Sequence, residues 1–258
     1  MDLHIPLQSL IALATEHIDA AHILAFFVGF VPALFWLFFW LAEDRKHPEP
    51  KRLILLSFVV GILMVPLALF LEQRIAEWLF SPQSLTETLL MAPSLGIVAL
   101  VIFAGVEEFC KWIAAYAAAL WSKEVDEPID YLIYMIAAAL GFAAYENALF
   151  LFTPFNNGML ATGLVMGNLR AIGATLLHVV ASSFIGFSLA AGFYKTRMPR
   201  IRRALIGAGS AIALHGLFNL AIMRSTHGNA MFAFIGVWIS IIILLVLFER
   251  AKKFHPTF

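Results

Sequence analysis

Seven stretches of this chain are apolar over a length that can cross a bilayer, which leaves few folds open to it. They fall at about Ile23–Leu41, Leu53–Leu71, Leu95–Trp121, Ile129–Phe152, Leu169–Phe193, Ala204–Met223 and Ala230–Phe248. Each runs for about 19 residues or more, and a helix rising about 1.5 Å per residue needs roughly 20 to span the hydrocarbon layer. With 62% hydrophobic and only 13% charged residues in 258, the chain has too little polar material to wrap a soluble core of this size. The expected fold class is all-α: a polytopic membrane bundle of about seven transmembrane helices, one transmembrane domain over residues 1–258, in a plasma or inner membrane.

The basic residues set an expected orientation, because Lys and Arg are retained on the cytoplasmic side. Alternate connectors collect thirteen of them on one side, from Arg45 and Lys46 through the Lys195–Arg203 cluster to Lys253, against Arg74 and Arg224 on the other. The amino end is therefore expected outside and the carboxyl end inside. Lys111 and Arg170 remain in or near the membrane, and Arg170 is read as snorkelling to outer headgroups. The first residues hold acids and histidines where a cleavable signal would be basic, so the first span is expected to be its own insertion signal. Zero net charge and the lack of a long basic block speak against nucleic acid as a partner. The lone cysteine, Cys110, excludes an internal disulfide and reads as inert apolar filler.

Between spans two and three, Ser84-Leu85-Thr86-Glu87 has capping-box spacing and follows Trp78 and Phe80, which predicts a short helix at the outer interface. Pro93 is expected to mark the bend into the third span. The connector Thr153–Gly167, rich in Gly and Asn and free of charge, reads as a flexible outer loop, with a lid or re-entrant segment as the alternative.

Four spans carry polar side chains where lipid would exclude them. These are Glu107-Glu108-x-x-Lys111, Phe142-x-x-x-Glu146-Asn147, His178-x-x-x-Ser182 and His215-x-x-x-Asn219. Spacings of three and four place each set on one helix face. An ionised group at a helix centre costs about 2.5–3.5 kcal/mol on insertion scales, so several together need a compensating role. In the expected topology the four sets lie roughly 9–18 Å below the outer boundary at about 1.5 Å per residue, so they can meet.

Adjacent Glu107 and Glu108 point about 100° apart on a helix, so one can face a cleft while the other faces a neighbour. Lys111 is within a turn of both and can neutralise either. Burial and a nearby ammonium act on a carboxyl in opposite directions, and a glutamate held between them can take a proton from water near neutral pH. The histidines supply groups that donate to an oxyanion or bind a metal, and His215 with Asn219, one turn apart, can polarise a carbonyl.

These four motifs, in this order on successive spans and with His178-x-x-x-Ser182-x-x-x-Gly186 extending the third, resemble the motif set of PrsW-type intramembrane proteases. That family is related to the CPBP and CAAX prenyl endopeptidase group. The resemblance covers about Leu95 to Met223, the expected catalytic core. It implies an acid pair, Glu107 and Glu108, one of them the water-activating base, with His178 and His215 essential. Lys111, Glu146, Asn147, Ser182 and Asn219 then have supporting places. Glu146 stands where CAAX-type enzymes have histidine, which speaks against prenylated substrates. The substrates implied are membrane-anchored proteins cut near the extracytoplasmic face, typically single-span proteins such as anti-sigma factors, in regulated proteolysis.

Metal use divides the readings. Glu146, His178 and His215 have the ligand types of a His2Glu zinc site. No His-x-x-x-His pair preorganises two ligands on one helix, however, so no obligatory metal is expected and zinc is the alternative. Simpler readings exist for single residues. Glu107, Glu108 and Lys111 can form a structural ion pair; Glu146 can bond to a histidine across helices; Asn219 can bridge helices; Ser182, Gly186 and Ala190 read as a small-residue seam, and Phe142 as packing. The competing functional class is a proton- or ion-coupled transporter, which predicts inverted repeats and broken helices.

Overall fold

Alanine and glycine decide which helix sits at the centre. The segment Ala137-Ala138-Ala139-Leu140-Gly141 and its continuation to Ala148 offer little side-chain bulk, so neighbouring backbones can approach closely. In the computed structural model of the chain, residues 19–43, 49–80, 93–224 and 230–255 are described. They form α1 (Ala20–Glu43), α2 (Lys51–Phe80), α3 (Pro93–Ala115), α4 (Asp130–Asn156), α5 (Leu160–Ile172), α6 (Ala174–Ala191), α7 (Arg197–Met223) and α8 (Ala230–Ala251). A π-helical turn, Tyr116–Leu120, prolongs α3. The interface helix expected around Ser84–Glu87 lies outside the described residues.

Seven passes result, with α5 and α6 together making the fifth. Six are long and apolar enough to cross a membrane by composition alone. The other is α3, 23 residues long and charged at Glu107, Glu108 and Lys111. The chain is thus an all-helical polytopic bundle.

Helix α4 is buried along nearly its whole length, with α1, α2, α3 and α6 packed around it. The contacts are backbone to backbone. A Cβ on Gly141 would lie 1.9 Å from the carbonyl oxygen of Phe58, and one on Gly61 would lie 2.2 Å from that of Ala138. Glycine at both positions lets α2 and α4 cross at van der Waals distance of their main chains. Gly186 does the same for α6 against the backbone of Tyr131 and Leu132, as the small-residue seam requires. The outer helices turn Phe27, Phe35, Leu63, Leu217 and Ile242 outward, where lipid would meet them.

The connector Thr153–Gly167 is not a long loop. Helix α4 continues to Asn156, Gly158 turns the chain with a φ of 70°, and α5 has begun by Leu160. Its other two glycines serve packing. A Cβ on Gly163 would meet the ring of Phe155 at 2.2 Å, and one on Gly167 would meet Val28 at 2.4 Å. Glycines four residues apart suit close helix docking as well as they suit a flexible coil, and here docking prevails. The break between α5 and α6 falls at Gly173, where a Cβ would strike the ring of Phe234 at 2.3 Å.

Candidate active site

Four helices bring their polar faces to one place. Glu107, Glu108 and Lys111 come from α3, Glu146 and Asn147 from α4, His178 and Ser182 from α6, and His215 from α7. All are buried or nearly so, and their bonds to each other compensate for the water they lack.

Lys111 is the hub. Its Nζ donates to Glu108 Oε1 at 2.7 Å and to Glu107 Oε2 at 3.3 Å, and it lies 2.6 Å from His178 Nδ1. It also sits 4.6 Å from the centre of the Phe142 ring, so that phenylalanine packs and offers its π-face to the ammonium. An ammonium has only donors, so His178 Nδ1 is the acceptor and its proton resides on Nε2. That Nε2–H points at Glu146 Oε2, 3.0 Å away.

The two adjacent glutamates differ sharply. Glu108 is 1% exposed and fully engaged: Oε1 accepts from Lys111 and from His215 Nδ1 at 2.8 Å, while Oε2 accepts from Ser182 Oγ at 2.6 Å. Ser182 is therefore a partner of the acid pair in addition to standing on the seam. Glu107 makes the one long bond to Lys111 and lines a cavity with Glu146, Arg170, His178, His215 and Asn219. Helix geometry separates the pair as their sequence adjacency requires: Glu107 faces the cavity and Glu108 the protein.

With Nδ1 donating to the Glu108 carboxylate, neutral His215 has a bare Nε2, and that atom lies 3.7 Å from Glu107 Oε2. Two acceptors facing each other call for a donor or a cation between them. The cavity gives about 30 Å³ to the centres of water-sized molecules, whereas one water needs roughly 10–15 Å³. The cavity is therefore large enough for water.

Ligating atoms of Glu107, His178 and His215 all lie within 4.8 Å of one another. The grouping differs from the sequence expectation, which put Glu146 with the two histidines; Glu146 is instead occupied by Nε2 of His178 and by an arginine. Two imidazoles and a carboxylate match a catalytic zinc set in ligand type, so the residues fit such an ion. Lys111 is the cation already on two of those donors.

That arginine is Arg170, and here the sequence reading is corrected. It does not snorkel: it is 5% exposed, its Nη2 donates to Glu146 Oε2 at 2.6 Å, and its Nε donates to Asn147 Oδ1 at 2.6 Å. Asn147 in turn donates to Thr175 Oγ1 at 2.9 Å. Charge balance signals this: Glu107, Glu108 and Glu146 outnumber Lys111 in the membrane, and Arg170 is the other cation not assigned to a connector. Glu72 of α2 was also missed. It is buried, its Oε1 has no hydrogen-bond partner among the described residues, and it lies within electrostatic reach of Glu107, Glu146 and Lys111.

A family described as PrsW family intramembrane metalloprotease matches residues 49–247. The Protease PrsW of Geobacillus kaustophilus is 27% identical over 214 residues, covering 81% of this chain and 85% of that protein. That of Clostridioides difficile is 26% identical over 200 residues, 77% of this chain and 79% of its own. The Bacillus subtilis protein is 22% identical over 194 residues, 75% and 80% of the two chains. No solved structure matches the chain.

Proposed function

Since this chain belongs to the PrsW family and is a multi-pass intramembrane protease of the cell membrane, we propose that Glu107 activates the hydrolytic water in the cavity it shares with His178 and His215. Glu108 is then the anchor of the acid pair. The supporting observation is the meeting of Glu107, His178 and His215, from three helices, beside a cavity large enough for water.

In this mechanism a water donates one hydrogen toward Glu107 Oε2 and the other toward the bare Nε2 of His215. Glu107 takes its proton as the oxygen attacks the peptide carbonyl carbon, and the carbonyl oxygen becomes an oxyanion. Asn219, on the cavity wall one turn beyond His215, offers an amide N–H to that oxyanion. Collapse breaks the C–N bond, and Glu107 returns the proton to the leaving amine. Lys111 holds Glu107 and His178 in place and balances the acid pair throughout. A zinc ion, if bound, would be held by Glu107, His178 and His215, and would supply Lewis acidity and a more acidic water.

With the amino end outside, the site lies in the outer half of the bilayer. The substrates are then membrane-anchored, single-span proteins cut at or just below the extracytoplasmic face, anti-sigma-factor-like proteins among them. The test is cleavage of a doubly tagged single-span reporter by purified protein in proteoliposomes. Wild type should release a defined extracytoplasmic fragment. Glu107→Gln, Glu108→Gln, His178→Ala and His215→Ala should each stop its release, and normal cleavage by all four would end the proposal.

A further inference from the structure

We propose that Arg170 is a positioning residue for catalysis: by fixing Glu146, the acceptor of the His178 Nε2–H, it sets the orientation of the His178 ring. The inference rests on the protease reading above and extends it to a residue outside the four motifs.

His178 presents one ring nitrogen to the cavity. Its Nδ1 faces Lys111 and, at 3.7 Å, Glu107, so that nitrogen belongs to the reacting side of the ring. With Lys111 donating to Nδ1, the neutral ring carries its proton on Nε2, and that N–H holds the ring in one orientation only while it has a fixed acceptor. Glu146 Oε2 is that acceptor, and the same oxygen receives Nη2 of Arg170. A carboxylate side chain swings freely about its torsions unless it is held. The guanidinium fork supplies two fixed donors, one on Glu146 and one on Asn147, and the ring of Phe150 lies 3.9 Å beneath it. Asn147, in turn, is held by Thr175, one turn before His178 on α6. The acceptor of His178 is thus pinned from α4, α5 and α6 together.

The shape of α5 explains how the arginine reaches this place. The buried residues of this helix are Gly163, Gly167 and Arg170, spaced four and three apart on one face. The two glycines seat the helix against Phe155 and Val28 with no room for a Cβ, which brings Arg170 over Glu146. A lysine cannot replace the fork, because one ammonium cannot reproduce two parallel planar donors.

Arg170→Gln, Arg170→Lys and wild type would be compared in two assays. In the reporter assay the expected loss is on the scale seen for outer-shell partners that orient metal-site histidines, about 10–100-fold. Arg170→Gln should lower kcat by that amount with KM within about twofold, and Arg170→Lys should fall between. In ¹⁵N NMR of histidine-labelled protein in lipid, the His178 Nε2–H should give one sharp, carboxylate-bonded signal in wild type, and in Arg170→Gln a broadened signal shifted toward a weaker hydrogen bond. Unchanged kcat in Arg170→Gln, a loss confined to KM, or an unaltered His178 signal would overturn the proposal, as would full activity in Arg170→Lys. If Arg170→Gln does not fold, Arg170→Lys decides by the same two readings. Wild type that cleaves no reporter would defeat the protease reading alone, because the His178 N–H measurement does not depend on turnover.

Discussion

Replacing each acid of the adjacent pair by glutamine should abolish cleavage in both cases, yet destabilise the protein in only one. In Glu108→Gln the amide can keep its oxygen toward Lys111 and His215 and turn its NH2 toward Ser182, so every hydrogen bond has a substitute. What disappears is the charge. Lys111, 0% exposed, would lose its tighter ion-pair partner and keep Glu107 at 3.3 Å as its direct one, with Glu146 and Glu72 acting from farther away. Breaking a buried ion pair by removing one partner costs about 3–5 kcal/mol. At roughly 2–4 °C per kcal/mol for a chain of this size, the melting point should fall by roughly 6–20 °C. Glu107→Gln gives up one long bond on the cavity side, while the tighter Lys111–Glu108 pair at 2.7 Å survives. That loss stands near or below the lower end of about 1.5–3 kcal/mol for hydrogen bonds to charged groups. The sole cysteine, Cys110, is 1% exposed, so a maleimide fluorophore that reacts on unfolding reads the melting of each variant in detergent. Equal melting points for the two variants, or a Glu108→Gln protein as stable as wild type, would refute the division of labour drawn from the geometry.

Three further outcomes follow from other parts of the molecule. Gly141→Ala must push α2 and α4 apart by well over an ångström to relieve the 1.9 Å approach to Phe58, and should sharply reduce the yield of folded protein on size-exclusion chromatography; Gly209→Ala, with open space around its Cβ, should leave it unchanged. Any zinc that metal-free protein takes up at this site should be lost in Glu107→Gln and largely kept in Glu146→Gln, as isothermal calorimetry would show, because Glu107 is the carboxylate grouped with both imidazoles. Burial pushes the Glu49 carboxyl, which accepts from the Tyr134 hydroxyl, above its ordinary value of 4.5. The folded state then holds that proton more tightly than the unfolded state, so its contribution is complete in acid and declines as pH climbs from about 4.5 through the raised value. Thermal melts of Glu49→Gln should lack this part of the pH dependence.

Much of the site could be read before the fold was seen, for a physical reason. Charged groups are so costly in lipid that Glu107, Lys111, Glu146, His178 and His215 stand out without context, and spacings of three and four assign each to a face. Three things could not be read that way. Arg170 lies where a long side chain can reach headgroups, and local sequence does not distinguish that from an inward ion pair; the charge count among the membrane acids does. The Gly-rich stretch before it looks like coil, because the need for a missing Cβ at Gly163 and Gly167 depends on how Phe155, at the end of α4, and Val28 of α1 are placed in space. The contrast between Glu107 and Glu108 arises from Ser182 and His215, 74 and 107 residues further along the chain.

In the proposed mechanism a water molecule, aimed by Glu107, is the source of the oxygen atom added to the new carboxyl group. A single-turnover cleavage in H2¹⁸O, with protein in excess over a single-span reporter and mass spectrometry of the fragment that gains the carboxyl, addresses this directly. Attack by water predicts one ¹⁸O in that carboxyl on the first turnover. A first-turnover product carrying only ¹⁶O, with the label appearing in Glu107 on later hydrolysis, would mean that the glutamate itself attacks the peptide, and would contradict the account.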